Sequence, residues 1–297
     1  MAHFHVLMGA NAFHAQPTVR RIGLADLKDA LARGIDDFTA MPSHAVFLCL
    51  IYPIVGVLLG WLTFGYGLTS LLYPLIAGFA LLGPFAAIGL YELSRQRERG
   101  LAPDLTHAFD VFHAPSFGAI AALGLLLMTI FITWLALAQA IYVANFGYAP
   151  MASIGEFARR VFTTPEGWAL IIVGNGIGFL FALVVLTISV VSFPLLLDRD
   201  AGTVEAVLTS CRAVRANPMI MAIWGLIVAS ILVLGAVPFL VGLAVVMPVL
   251  GHSTWHLYRK VVEPDLSPRQ EQPRPPKRRQ RYAAQFPAAL FAGEDRP

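Results

Sequence analysis

Five long blocks of this chain carry no charged residue: 45–64, 68–91, 117–144, 168–197 and 219–258. A helix needs roughly 20 apolar residues to cross the hydrocarbon core of a bilayer. The first four blocks fit one crossing each. The fifth has 40 residues, twice the need, and Gly235 and Pro238 interrupt it near the middle. It reads as a tight hairpin of two helices, 219–235 and 238–258. The pattern predicts an all-α, polytopic transmembrane bundle of six spans. Composition agrees: 57% of the 297 residues are hydrophobic and only 13% are charged, against roughly 25% charged in a soluble domain. An ionised side chain at mid-membrane costs at least ~2.5–3.5 kcal/mol, so charge is driven into the connections.

Orientation follows from the basic residues, which collect on the cytoplasmic side. With the N-terminus inside, 19 of the 21 lysines and arginines lie in cytoplasmic segments, and only Arg159 and Arg160 fall outside. One crossing fewer in the fifth block would expose the basic C-terminal stretch to the wrong side. Trp61, Tyr66, Tyr91, Trp168, Trp255 and Tyr258 stand near span ends, where amphipathic rings favour the headgroup layer. The chain thus divides into a flexible tail at 1–23, a membrane domain at 24–262 and a Pro/Arg-rich tail at 263–297. Residues 1–23 lack the basic start and apolar run of a signal peptide. The second tail cannot bury a core and is expected to be disordered. Its basic residues suit anionic inner-leaflet lipids better than nucleic acid. Cys49 and Cys211 form no disulfide framework or metal motif.

A threefold grammar is visible. Each pair of spans follows a short amphipathic stretch that ends at a proline. The first stretch is 24–40, with Leu24, Leu27, Leu31, Ile35 and Phe38, then Pro42. The second is 101–114, with Leu101, Leu105, Ala108, Phe109 and Phe112, then Pro115. The third is 203–216, with Val204, Val207, Leu208, Cys211 and Val214, then Pro218. Apolar residues at such spacings make one stripe on a helix, suited to the headgroup boundary. Late prolines, Pro84, Pro194 and Pro248, mark the second span of each pair. The expectation is three units, each an interfacial helix plus a two-span hairpin.

Several stretches resemble the bacterial integral membrane proteins grouped as domain of unknown function 2189. They are VRRIGLADLKDALARGIDDFTAMPSHAVFLCLIYP (19–53), GFALLGPFAAIGLYELSRQRERG (78–100), VSFPLLLDRD (191–200), RANPMIMAIWGLIVA (215–229) and MPVLGHSTWHLYRKVV (247–262). The resemblance covers about residues 17–262. It implies a multi-pass protein of the cytoplasmic membrane and no defined activity. Some members carry a label resembling cytochrome oxidase subunit I, which implies haem or metal.

Candidate chemistry is sparse. His252 and His256 are four apart, so they share a helix face and could hold a metal ion. They stand near the cytoplasmic end beside Arg259 and Lys260, not deep among facing helices. Asp37, His44, Glu92, Arg95, Asp110, Asp198, Arg199, His252 and His256 all fall at the cytoplasmic rim in this topology, where a polar cluster could form. Gly56 and Gly60, and Gly174 and Gly178, are small-xxx-small pairs that let helices approach, and Asn175 could bond between helices. No nucleophile, base and acid assemble, since Ser43 beside His44 is adjacency alone. No cofactor is expected. The first expectation is a non-catalytic scaffold, or a carrier of an uncharged or lipid-like solute, surrounded by membrane lipids. The alternative is a redox-associated subunit binding haem or metal through His252 and His256.

Overall fold

A computed structural model describes residues 17–42, 50, 54–58, 60, 61, 71–101, 116–148, 153–237 and 240–264. The regular structure among the described residues is helical, apart from one antiparallel bridge between Val19 and Val262. The helices are α1 (Leu24–Ala40), α2 (Leu72–Phe79), α3 (Gly83–Ala86), α4 (Ile88–Glu98), α5 (Phe117–Phe146) and α6 (Ile154–Thr163). They continue as α7 (Pro165–Ser189), α8 (Ser192–Asp198), α9 (Thr203–Ala216), α10 (Pro218–Ala236) and α11 (Leu243–Val261). A 3₁₀ turn at Ala80–Leu82 joins α2 to α3.

Local chemistry sets the helix ends. The Asp26 carboxylate accepts from the Gly23 N–H and closes the start of α1. Ser153 and Thr164 cap α6 and α7 by accepting from the N–H groups of Glu156 and Gly167. Pro165 and Pro218 sit in the first turns of α7 and α10, where a missing N–H costs nothing. Gly147, at φ +75°, ends α5 in the left-handed region that glycine enters freely. Pro194 lies just after the break between α7 and α8, as its position late in the fourth block predicts.

Four helical stretches are long and apolar enough to cross a membrane: Leu72–Glu98, Phe117–Phe146, Pro165–Asp198 and Pro218–Ala236. They coincide with the second to fifth spans read from sequence. The first block, 45–64, lies largely outside the described residues. The fifth block is two helices, α10 and α11, joined by a tight connection in which Leu240 takes φ 66°. Leu125, Ile132, Ile172, Phe179, Leu226 and Leu234 are exposed along the spans. Apolar surface of that extent is untenable in water and ordinary against lipid.

The core gathers at one end of the bundle. There α4, α8 and the second half of α11 meet through Leu90, Leu93, Phe193, Leu195, Leu196, Trp255 and Leu257, all at most 1% exposed. Helix α11 is enclosed by protein along most of its length. Its environment explains how an otherwise apolar helix holds His252, Ser253, Thr254 and His256.

Two expectations are corrected here. Tyr91, Trp255 and Tyr258 do not belong to an aromatic belt: each is at most 2% exposed. The Trp255 indole N–H donates to Glu98, and the Tyr258 hydroxyl donates to Asp198. Buried Trp and Tyr take such partners for their polar tips. Nor does α1 turn its whole stripe of large apolar residues outward: Leu27 is buried, and Leu31 and Phe38 pack against the core. The helix runs antiparallel along α11 and buries Leu27, Ala30, Gly34 and Asp37, while Leu24 and Ile35 are exposed. The buried face is chosen by close approach, which favours Ala30 and Gly34 over bulkier neighbours.

Candidate functional site

The polar centre of the described structure lies where α1, α4 and α11 meet. Asp37 is 3% exposed and stands at its middle. Its carboxylate accepts from the Ser94 hydroxyl at 2.6 Å and from His256 Nε2 at 2.8 Å. Arg97 donates to its other oxygen and also pairs with Asp36 at 2.8 Å. Ser94 and Arg97 are three residues apart, so they share the face of α4 turned to α1. His252 Nδ1 lies 2.7 Å from Ser94 Oγ.

The protons in this group can be placed. An ionised carboxylate has none to give, so the Ser94 hydroxyl donates to Asp37. The Ser94 oxygen must then accept from His252 Nδ1–H. His252 Nε2 is left as a buried lone pair with no hydrogen-bonding partner among the described residues. Burial raises the affinity of Asp37 for a proton, but the hydrogen bonds from His256, Ser94 and Arg97 outweigh it and hold the carboxyl at about 2. Asp37 is therefore a fixed anion at any physiological pH.

Two further clusters extend the rim. Glu92 pairs with Arg95 at 2.6 Å and accepts from Gln96 at 3.1 Å, while Arg95 also donates to the Leu197 carbonyl at 2.7 Å, tying α4 to α8. Glu98 accepts from Trp255 and Arg259, and Asp198 accepts from Tyr258 and Arg259. Arg199 donates to the Glu263 carbonyl. Along α11, Lys260 reaches Asp29 of α1 at 2.8 Å.

Asp37, His252 and His256 thus meet in one hydrogen-bonded group, with Glu92, Arg95, Asp198 and Arg199 in neighbouring ones. His44 and Asp110 lie outside the described residues. Ser94, Arg97 and Glu98 are central partners that sequence reading does not single out. Serine and arginine one turn apart give no signal until Asp37 is known to face them. Among the packing candidates, Gly56 closely approaches Leu240, and Gly178 sets a Cβ position 3.0 Å from Trp134. Among the described residues, Gly60 and Gly174 make no such approach. Asn175 accepts from the Tyr73 hydroxyl at 2.7 Å, joining α7 to α2.

His256 turns Nε2 to Asp37, and His252 turns Nδ1 to Ser94. Among the described residues no group of three His, Cys, Asp or Glu is disposed to hold a metal.

Four membrane-length helices, lipid-compatible outer faces and charge confined to connections and one rim define a multi-pass α-helical integral membrane protein. Residues 72–198 match the model of a family described as a predicted integral membrane protein, DUF2189. This is the family that the sequence resembles, and the match spans α2 to α8. No curated protein and no solved structure matches the chain.

Proposed function

We propose that the protein is a non-catalytic scaffold of the bacterial cytoplasmic membrane, with six spans and both termini inside. The six comprise the four membrane-length helices, α11 and the 45–64 block. The observation that carries this reading is the engagement of the rim carboxylates. Asp37 joins α1, α4 and α11; Glu98 and Asp198 are bonded from α11. Charges so bonded fasten helices to one another. Ion-coupled transport instead keeps ionisable groups along a path through the spans. The related role, carriage of an uncharged or lipid-like solute, needs no such groups, and mass spectrometry of delipidated protein separates the two. A scaffold retains no lipid inside the bundle after delipidation; a lipid held there in stoichiometric amount favours the carrier.

The three-unit grammar is kept as part of this proposal; residues 102–114 of its second amphipathic stretch lie outside the described residues. Topology is testable directly. Reporter fusions at 66, 150 and 237 are expected to read outside, and those at 105, 205 and 270 inside. An outside reading at 270 removes the final hairpin.

A further inference from the structure

The amphipathic helix α9, like α1, buries small residues and leaves large apolar ones exposed. Its inner face is small and polar: Ala206, Thr209, Ser210 and Ala213 are buried. Its outer face carries Val204 and Leu208, 44% and 56% exposed, followed by Cys211 and exposed Arg215. The spacing of 204, 208, 211 and 215 places them on one side of the helix. That side leads directly into the exposed start of α10, where Met219 is 71% exposed. A second cation joins it. The Asn217 side chain accepts from the Ile22 N–H at 2.8 Å and donates to the Arg20 carbonyl at 3.0 Å, which brackets exposed Arg21. Arg20 is paired with Glu263. Arg21 and Arg215 have no acidic partner among the described residues.

We infer that the outer face of α9, together with Arg21, is a docking surface for anionic phospholipid. Val204 and Leu208 enter the acyl boundary, and Arg215 and Arg21 meet headgroup phosphates. An amphipathic helix with a cationic margin binds an anionic leaflet through both apolar area and charge. The occupant follows from continuity: only Asn217 separates α9 from α10, whose exposed apolar surface begins at Met219, and the unpaired charges are positive where the surface ends. This rests on the proposed membrane reading, but not on which leaflet α9 meets nor on whether the protein scaffolds or carries.

The test uses the full chain in nanodiscs of phosphatidylcholine with or without phosphatidylglycerol. In a Cys49→Ala, Cys211→Ala background, a nitroxide at Leu208→Cys is expected to collide with oxygen in preference to a water-soluble nickel chelate. A nitroxide at Lys28→Cys on α1 is expected to show the reverse. Native mass spectrometry is expected to find phosphatidylglycerol enriched on the protein. The Arg21→Gln, Arg215→Gln pair should lose that enrichment by roughly an order of magnitude, and the corresponding lysine pair should keep it. A label at 208 that prefers the nickel chelate overturns the proposal. So does one shielded from both reagents, which would mean a second protein copy covers the face. Undiminished enrichment in the glutamine pair also overturns it. Reporter fusions failing at 205 or 270 would change the topology without changing these readings.

Discussion

Replacing Asp37 with asparagine is expected to destabilise the membrane domain by about 3–5 kcal/mol, the range for a buried charge pair broken from one side. The carboxylate is the sole common acceptor for Ser94, His256 and Arg97. An amide offers one oxygen where the carboxylate offers two, and it turns its own donors toward other donors. The Arg97 side chain is 34% exposed and can recover some hydration, which places the effect toward the lower end. Release of α1 should accompany the loss. Lys28 and Arg33 lie in α1, so trypsin should cut there readily in the variant and slowly in the wild type. The same carboxylate sets an acid limit. Its folded value of about 2 lies below the unfolded value of ~3.9. Its contribution is therefore complete above pH ~4 and is lost as pH falls toward 2. Thermal unfolding in detergent across that window should show the decline in the wild type. The asparagine variant should lack this component.

Gly34→Leu is expected to separate α1 from α11 outright. A Cβ on Gly34 would stand 2.6 Å from the Ser253 backbone nitrogen and 2.7 Å from its Cα. Backbone cannot move aside as a side-chain tip can. Overpacking of this kind costs about 1–3 kcal/mol when a core can adjust, and more when it cannot. Even Gly34→Ala should reach the top of that range. Ser253→Gly should relieve the alanine variant only in part, because the hydroxyl is one obstacle and the main chain is the other. Thermal unfolding of the two single variants and the pair measures this. Complete rescue by Ser253→Gly would mean that the helices have room to shift.

The membrane architecture was legible because bilayer physics acts on long, coarse patterns. Charge-free blocks of spanning length became α2 to α5, α7, α8 and α10 with small shifts of boundary. The split of the fifth block was legible through single residues, Gly235 and Pro238. Packing was not. The stripe Leu24, Leu27, Leu31, Ile35 and Phe38 weights bulk, whereas the contact with α11 selects the small Ala30 and Gly34 and so carries Asp37 inward. In α9 the same weighting picks Val204 and Leu208, which face away from the protein. Large apolar residues mark a lipid face as readily as a protein face, because both are dry. The rim cluster was partly legible for a related reason. His252 and His256 announce a shared face by their spacing, but Ser94 and Arg97 look ordinary until α1 is laid across them. Tyr91, Trp255 and Tyr258 look like belt residues because a span end and a buried rim fall at the same place in the sequence.

Helix α1 is fastened to the bundle through Asp37 and His256. A double-mutant cycle on Asp37→Ala and His256→Ala, read as unfolding free energy in one detergent, tests it most directly. The account predicts a coupling of about 1.5–3 kcal/mol, as for a hydrogen bond to a charged group. Two effects that add to within ~0.5 kcal/mol would contradict it.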